Sequence, residues 1–155
     1  MRIAVIDGQG GGIGKVITEK LADRLRRLYP NDVEILALGT NALATSAMLK
    51  AGANDGASGE GAVIFNAGRV DLILGSISIL IANSMLGELT PGMAEAIAVS
   101  RAGKIVLPLI RSNIDIVGFN GEPLPHLVDE MVDLAKEYVK QEILKGMKKQ
   151  PRGAG

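Results

Sequence analysis

Cysteine is absent from the 155 residues. The chain therefore builds no disulfide framework, thiolate nucleophile or cysteine-ligated zinc or iron–sulfur site of its own, and the lack fits a reducing, cytoplasmic setting. Histidine occurs once, at His126, which excludes histidine-rich metal sites by count. Charge of one dominant sign is also missing, since 17 Lys and Arg balance 17 Asp and Glu. Without a global positive field, neither nucleic acid nor an anionic membrane is an expected partner. Aromatic residues are only 3% of the chain and tryptophan is lacking, so the core has to be made from Ile, Leu, Val and Ala. The uncharged stretch Leu72 to Gly87 is shorter than the ~20 residues of a membrane span. It carries Ser76, Ser78, Asn83 and Ser84, and reads as a buried strand and loop or as an oligomer contact. The N-terminus opens as a strand with an early aspartate and does not read as a signal peptide.

Glycine is in excess. The chain has 20, nearly twice the usual ~7%. Five of them fall in "DGQGGGIGK", residues 7 to 15, directly after the apolar run Ile3-Ala4-Val5-Ile6. A strand, a glycine-rich turn and a helix bring free backbone N–H groups and the positive end of the helix dipole to one point. Gly8 can turn tightly out of the strand, and the later glycines let an anion approach the backbone without meeting a Cβ. A charge-assisted hydrogen bond contributes about 1.5–3 kcal/mol, so a few outweigh the entropy of ordering the loop. Lys15 would sit in a first helical turn that has no carboxylate of its own, a position that favours a bound anion. The competing reading is a turn whose glycines only let the helix pack closely on the sheet.

The rest of the chain alternates strands and helices. The helix after the glycines has Ile13, Ile17, Leu21, Leu25 and Leu28 at helical spacing and stops at Tyr29-Pro30. Val33 to Leu38 reads as a second strand, and Gly39-Thr40-Asn41 leads into a helix over 42–51. Between Ala53 and Val70 a short helix begun by Ser58 competes with a strand over Ala62 to Asn66. The helix is favoured, because the few residues between Asn66 and Asp71 are too short for a parallel crossover. Residues 71–75 read as a buried strand, Thr90-Pro91 as a cap opening a helix to Ala102 that ends at Gly103, and Lys104 to Ile110 as a strand. Ile114 to Phe119 reads as an edge strand. A long last helix begins near Pro125 with Leu127, Val128, Met131, Ala135, Tyr138 and Val139 on one face.

This pattern predicts an α/β fold: three layers, Rossmann-like, with a mostly parallel sheet covered by helices on both faces. The single domain spans residues 1–146, and 147–155 form a flexible tail. Ligands of such sheets bind outside the carboxyl ends of the strands. Four segments should meet there: the glycine loop, Gly39-Thr40-Asn41, Gly75-Ser76-Ile77-Ser78 and Arg111-Ser112-Asn113.

Gly8, Gly12, Ile13 and Gly14 reproduce Gly-x-x-x-Gly-Ile-Gly, so the segment resembles the nucleotide-binding loop of short-chain dehydrogenases. The resemblance implies NAD or NADP at Gly8, Gln9, Gly10, Gly11, Gly12, Ile13, Gly14 and Lys15. Two departures limit it. No acidic residue ends the second strand, and the Tyr-x-x-x-Lys pair is missing, since Tyr29 is followed four on by Val33 and Tyr138 by Glu142. The same glycines and Lys15 are similar to the P-loop of some ATPases, but Val16 stands where a Ser or Thr should hold magnesium. ATP therefore ranks second. Over residues 1–146, "VIDGQGGGIGK", "LGTNALATSAMLKAGA" and "ANSMLGELTP", in this order, resemble a family of small bacterial proteins, mainly from anaerobes, that carry a domain of unknown function. That resemblance implies identity without a reaction.

Five further positions carry two readings each. Asp7 binds a hydroxyl or metal, or accepts hydrogen bonds from its own turn. Thr40 and Asn41 hold a ribose or base, or cap a helix. Ser76 ends a strand at the ligand edge. Arg111 clamps a phosphate, or forms a surface ion pair. Glu88 is the best acid–base carboxylate, or only favours a helix N-terminus. His126 reads as a surface or capping residue. The expected ligand is a small-molecule nucleotide or phosphate metabolite, and catalysis and a non-catalytic regulatory role both stay open. The apolar stretch around Leu80 and Met85 suggests a homo-oligomer.

Overall fold

The structure is a computed structural model that describes residues 1–111 and 113–149. In β1 (Arg2–Asp7), Ile3 and Val5 point to one face while Ala4 and Ile6 point to the other, and all four are buried. A strand that is apolar on both sides belongs in the middle of a covered sheet. The same alternation holds in β2 (Glu34–Gly39), with Ile35 and Ala37 opposed to Leu36 and Leu38. In β4 (Leu72–Ser76), Leu72 and Leu74 oppose Ile73. With β3 (Asp55–Ser58) and β5 (Gly103–Leu107) these strands form one parallel sheet of order β3-β2-β1-β4-β5.

Helices cover both faces. Ile17 and Leu21 of α1 (Gly12–Leu21), Met48 of α2 (Ala42–Lys50) and Leu127, Val128, Met131, Val132, Ala135 and Val139 of α5 (Leu124–Lys149) pack on one core. Val63 and Ala67 of α3 (Glu60–Ala67) and Met93, Ala94 and Ile97 of α4 (Pro91–Val99) pack on the other. The fold is thus three-layered and Rossmann-like. Tyr138 stays 40% exposed, unlike the rest of its expected face. Its ring lies over Gly103, where an added Cβ would come within 2.5 Å of it.

Several elements differ from the sequence reading. Strand β3 was not expected, because "DGAS" buries little; it is held by main-chain pairing with β2 from Leu36↔Asp55 to Gly39↔Ser58. The favoured helix over the ambiguous stretch is α3, the crossover that carries the chain from the β3 edge to the far side of β1. Helix α4 stops at Val99, short of Ala102, where the Ser100 hydroxyl donates to Ala67 O and accepts from Ala102 N. Gly103 accordingly opens β5 and does not end the helix. Strand β5 ends at Leu107, before Pro108, which has no N–H to continue a ladder.

The expected edge strand Ile114 to Phe119 does not form. Phe119 N donates to Ile116 O in a turn and Gly118 has φ 90°, which breaks the extended chain that the alternating residues suggested. Helix α5 runs through the first residues of the expected tail to Lys149, and residues 150–155 lie outside the described residues, as does Ser112. The stretch from Leu72 enters the chain's own core as far as Ile79, and beyond it Ala82, Asn83, Leu86 and Gly87 are exposed. Ile79 in the short 3₁₀ turn Ile77–Leu80 is fully buried, and Leu80 and Met85 pack against the core. Among the described residues, no helix is long and apolar enough to cross a membrane.

Candidate functional site

Strand order reverses between β1 and β4, so their carboxyl ends, Asp7 and Ser76, face the crevice where ligands of open α/β sheets bind. Asp7 is 6% exposed. Its Oδ1 accepts from Gly8 N at 2.8 Å and its Oδ2 from Gly14 N at 2.7 Å, so one carboxylate joins the end of β1 to the first turn of α1. This is the turn-stabilising reading of Asp7. It also supplies the anion that α1 was expected to lack. Burial pushes the Asp7 carboxyl above its usual range against the pull of the Gly14 and Gly8 donors, and the charge of Glu88 adds to the rise.

The five glycines of the loop divide into two groups. A Cβ on Gly8 would stand 2.5 Å from Thr40 Oγ1 and 2.7 Å from Met85 Sδ. On Gly14 it would stand 2.6 Å from Met48 Sδ, and on Gly11, whose φ is 73°, 2.8 Å from Ala44 Cα. Close packing of β1, α1 and α2 therefore leaves no room for a Cβ at Gly11 and Gly14, and at Gly8 the side chains of Thr40 and Met85 from two neighbouring connections fill the space. Gly10 and Gly12 are exposed, have no positive φ, and would meet nothing within 4 Å. Their N–H groups donate to no acceptor among the described residues. Ile13 packs against the core, and the exposed Lys15 donates its backbone N–H to Gly11 O at 2.8 Å.

Glu88 comes to this loop from 79 residues away. Its Oε1 accepts from Gln9 N at 3.0 Å, from Thr40 Oγ1 at 2.8 Å and from Asn41 Nδ2 at 2.6 Å. Partial burial raises its carboxyl, but the three donors outweigh that and hold it below the usual glutamate range. Thr40 and Asn41 thus stand at the end of β2 as expected, and Asn41 also caps α2 by accepting from Ala44 N at 2.9 Å. A carboxylate does stand at the end of β2, delivered by the β4–α4 connection. Sequence spacing has no means of showing that, although it does mark Glu88 as a carboxylate candidate.

Ser76 is buried at the end of β4. Arg111 is exposed and makes no hydrogen bond or ion pair with another described residue, so no contact ties it to the glycine loop. The connection from Ile81 to Leu89 crosses the crevice and lays Met85 against Gly8. A hollow of about 640 Å³, lined by Asp23, Arg26, Arg27, Gly52 and Asn54 among others, lies at the opposite end of the sheet, where Asn54 Oδ1 accepts from Ile35 N at the start of β2. It carries balanced charges and none of the expected site residues. Among the described residues, no group of three or more His, Cys, Asp or Glu is placed to hold a metal ion.

Sheet order, crossover helix and the glycine turn between β1 and α1 define the class: a small three-layer α/β protein of Rossmann-like architecture. The model of the domain of unknown function DUF3842 matches residues 2–140, and the chain belongs to that family. No curated protein and no solved structure matches it.

Proposed function

We propose that this protein binds a nucleotide or another phosphate-bearing metabolite at the carboxyl edge of its sheet, with a phosphate on the N–H groups of Gly10 and Gly12. One observation carries the reading. These two glycines are required neither by packing nor by backbone conformation, and they present unpartnered donors at the start of α1. Glycine without a structural reason fits a backbone that a ligand approaches closely. Lys15 is exposed one turn on and adds the nearest cation of the loop. Thr40 and Asn41 border the seat on the β2 side. NAD or NADP is the first ligand class and ATP the second, and a cytoplasmic metabolite pool would supply either. Asp7 and Val16 leave no hydroxyl ligand for magnesium in the loop, which ranks a P-loop mechanism lower.

A thermal-shift screen tests the reading, with NAD, NADP, ATP with and without magnesium, AMP and inorganic phosphate, on the native chain and on Gly12→Ala. A ligand at about a hundred times its Kd adds ~2.7 kcal/mol, a shift of several degrees. A shift from one nucleotide that Gly12→Ala removes is the expected result. Silence from every ligand, or a shift indifferent to Gly12, would sink it.

A further inference from the structure

We propose that the β4–α4 connection is a strap latched over the crevice by Glu88, whose carboxylate stands in for the anion of the ligand and is displaced when that anion binds; this rests on the phosphate seat proposed above. The strap is anchored at both ends by fully buried side chains, Ile79 before it and Leu89 after it. Between them it is bonded mainly to itself: Asn83 N donates to Leu89 O at 2.8 Å, Gly87 N to Asn83 O at 3.1 Å and Leu89 N to Ser84 O at 3.2 Å. Such a segment moves as one body with its two ends close together.

Beyond itself it is tied at a few points: Ser84 Oγ donates to Ser78 O at 2.5 Å, and Met85 packs at the margin of the second core. Met85 lies against Gly8, and the Glu88 carboxylate is held by Gln9 N, Thr40 Oγ1 and Asn41 Nδ2. At the tip, Leu86 is 96% exposed. Asn83, Met85 and Leu86 all take positive φ, at 62°, 57° and 56°, a conformation that costs free energy in residues other than glycine. These three residues lie inside the strap and move with it, so what Glu88 opposes is the lifting of the whole segment from the glycine loop and the end of β2.

The latch uses the chemistry that a phosphate would use. A single anionic oxygen gathers one backbone N–H of the glycine loop and two side-chain donors from the end of β2. The Gln9 N–H that it takes is adjacent to the unpartnered Gly10 N–H in the chain. A phosphate seated on Gly10 and Gly12 competes with Glu88 for Gln9 and repels its charge. Release of Glu88 lifts Met85 off Gly8 and opens the β1–β4 crevice, the space that the second half of a dinucleotide needs.

The test uses the full chain with inorganic pyrophosphate as probe, by titration calorimetry and by hydrogen exchange read at residues 83–88. The variants are Glu88→Gln, which removes the competing charge, and Thr40→Val, which removes one donor and leaves Glu88 in place. In the native chain, pyrophosphate should speed exchange in the strap. Both variants should exchange faster there without ligand, and Glu88→Gln should bind pyrophosphate about tenfold tighter. Should Glu88→Gln misfold, Thr40→Val decides the matter through the same exchange readout. Pyrophosphate binding with strap amides unchanged or better protected, or weaker binding by Glu88→Gln, overturns the latch and leaves the seat standing. Binding to neither protein overturns the seat, and the displacement with it.

Discussion

Two glycines side by side in one loop stand in opposite surroundings. Gly11 takes a φ of 73° and has no room for a Cβ beside Ala44, whereas Gly12 has an ordinary backbone and open space. Gly11→Ala should therefore lower stability by at least about 2 kcal/mol in urea denaturation, from left-handed strain plus the clash. Gly12→Ala should leave the midpoint unchanged or raise stability by about 0.5 kcal/mol, because alanine orders the unfolded chain less expensively. Equal losses at both positions would mean that the loop is only a packing device. The two carboxylates of the loop respond to acid in opposite directions. Glu88 is held below its usual range, so what it contributes is present above that range and fades as pH falls through its lowered value. Asp7 is raised, so its share favours the fold below the usual aspartate range and is lost as pH rises through its raised value. The stability gap between native chain and Glu88→Gln should accordingly close as pH is lowered in a urea series. A gap that is constant with pH would show that the charge of Glu88 does not tie the strap down.

Where an element buries an apolar pattern, the sequence announces it; where it is held by main-chain bonds, it does not. Strands β1, β2 and β4 and helices α1, α4 and α5 were all legible from apolar spacing and caps. Strand β3 was not, because "DGAS" satisfies its backbone against β2 and leaves its side chains half exposed. The stretch from Ile114 to Phe119 shows the converse error: its alternation suggested a strand, yet Ile114 and Val117 face solvent and the chain turns at Gly118. Caps were legible at α2 and α4 but not at α3, where Ser58, read as beginning the helix, ends β3 and the helix starts after Gly59 with no side-chain cap. Thr90 Oγ1 accepts from Met93 N at 3.2 Å with Pro91 behind it, as the sequence implied. Thr90→Ala should cost about 1 kcal/mol in a thermal or urea melt, the usual worth of such a cap. A loss of only a few tenths would show that packing of Met93 and Ile97 alone holds α4.

At the scale of the whole molecule, the fold and the placing of the glycine loop at the carboxyl edge of the sheet were readable, but the packing across that edge was not. The alternation of elements fixes a parallel sheet with the glycine loop at its carboxyl end. Nothing local in the sequence says that Glu88 travels across the crevice to Gln9, because that contact exists only once β4 and α4 are docked on the second face. The apolar run from Leu72 enters the core as far as Ile79 and leaves Leu86 exposed near its far end. Helix α5 has its last fully buried side chain at Val139, with Ile143 packed at the margin and Leu144 and Met147 exposed. A chain ending at Lys145 should therefore unfold at the same urea concentration as the full one. A lower midpoint would assign the last turns of α5 a role in the core.

Because one aspartate clasps both the exit of β1 and the entry of α1, the loop between them is ordered before any ligand arrives. On the proposed reading, a phosphate arriving at this edge finds the Gly10 and Gly12 N–H groups already in place and has only the Glu88 latch to displace. On the proposed displacement the phosphate binds first and the strap opens afterwards, so the observed rate should rise with ligand concentration to a ceiling equal to the opening rate of the ligand-bound strap.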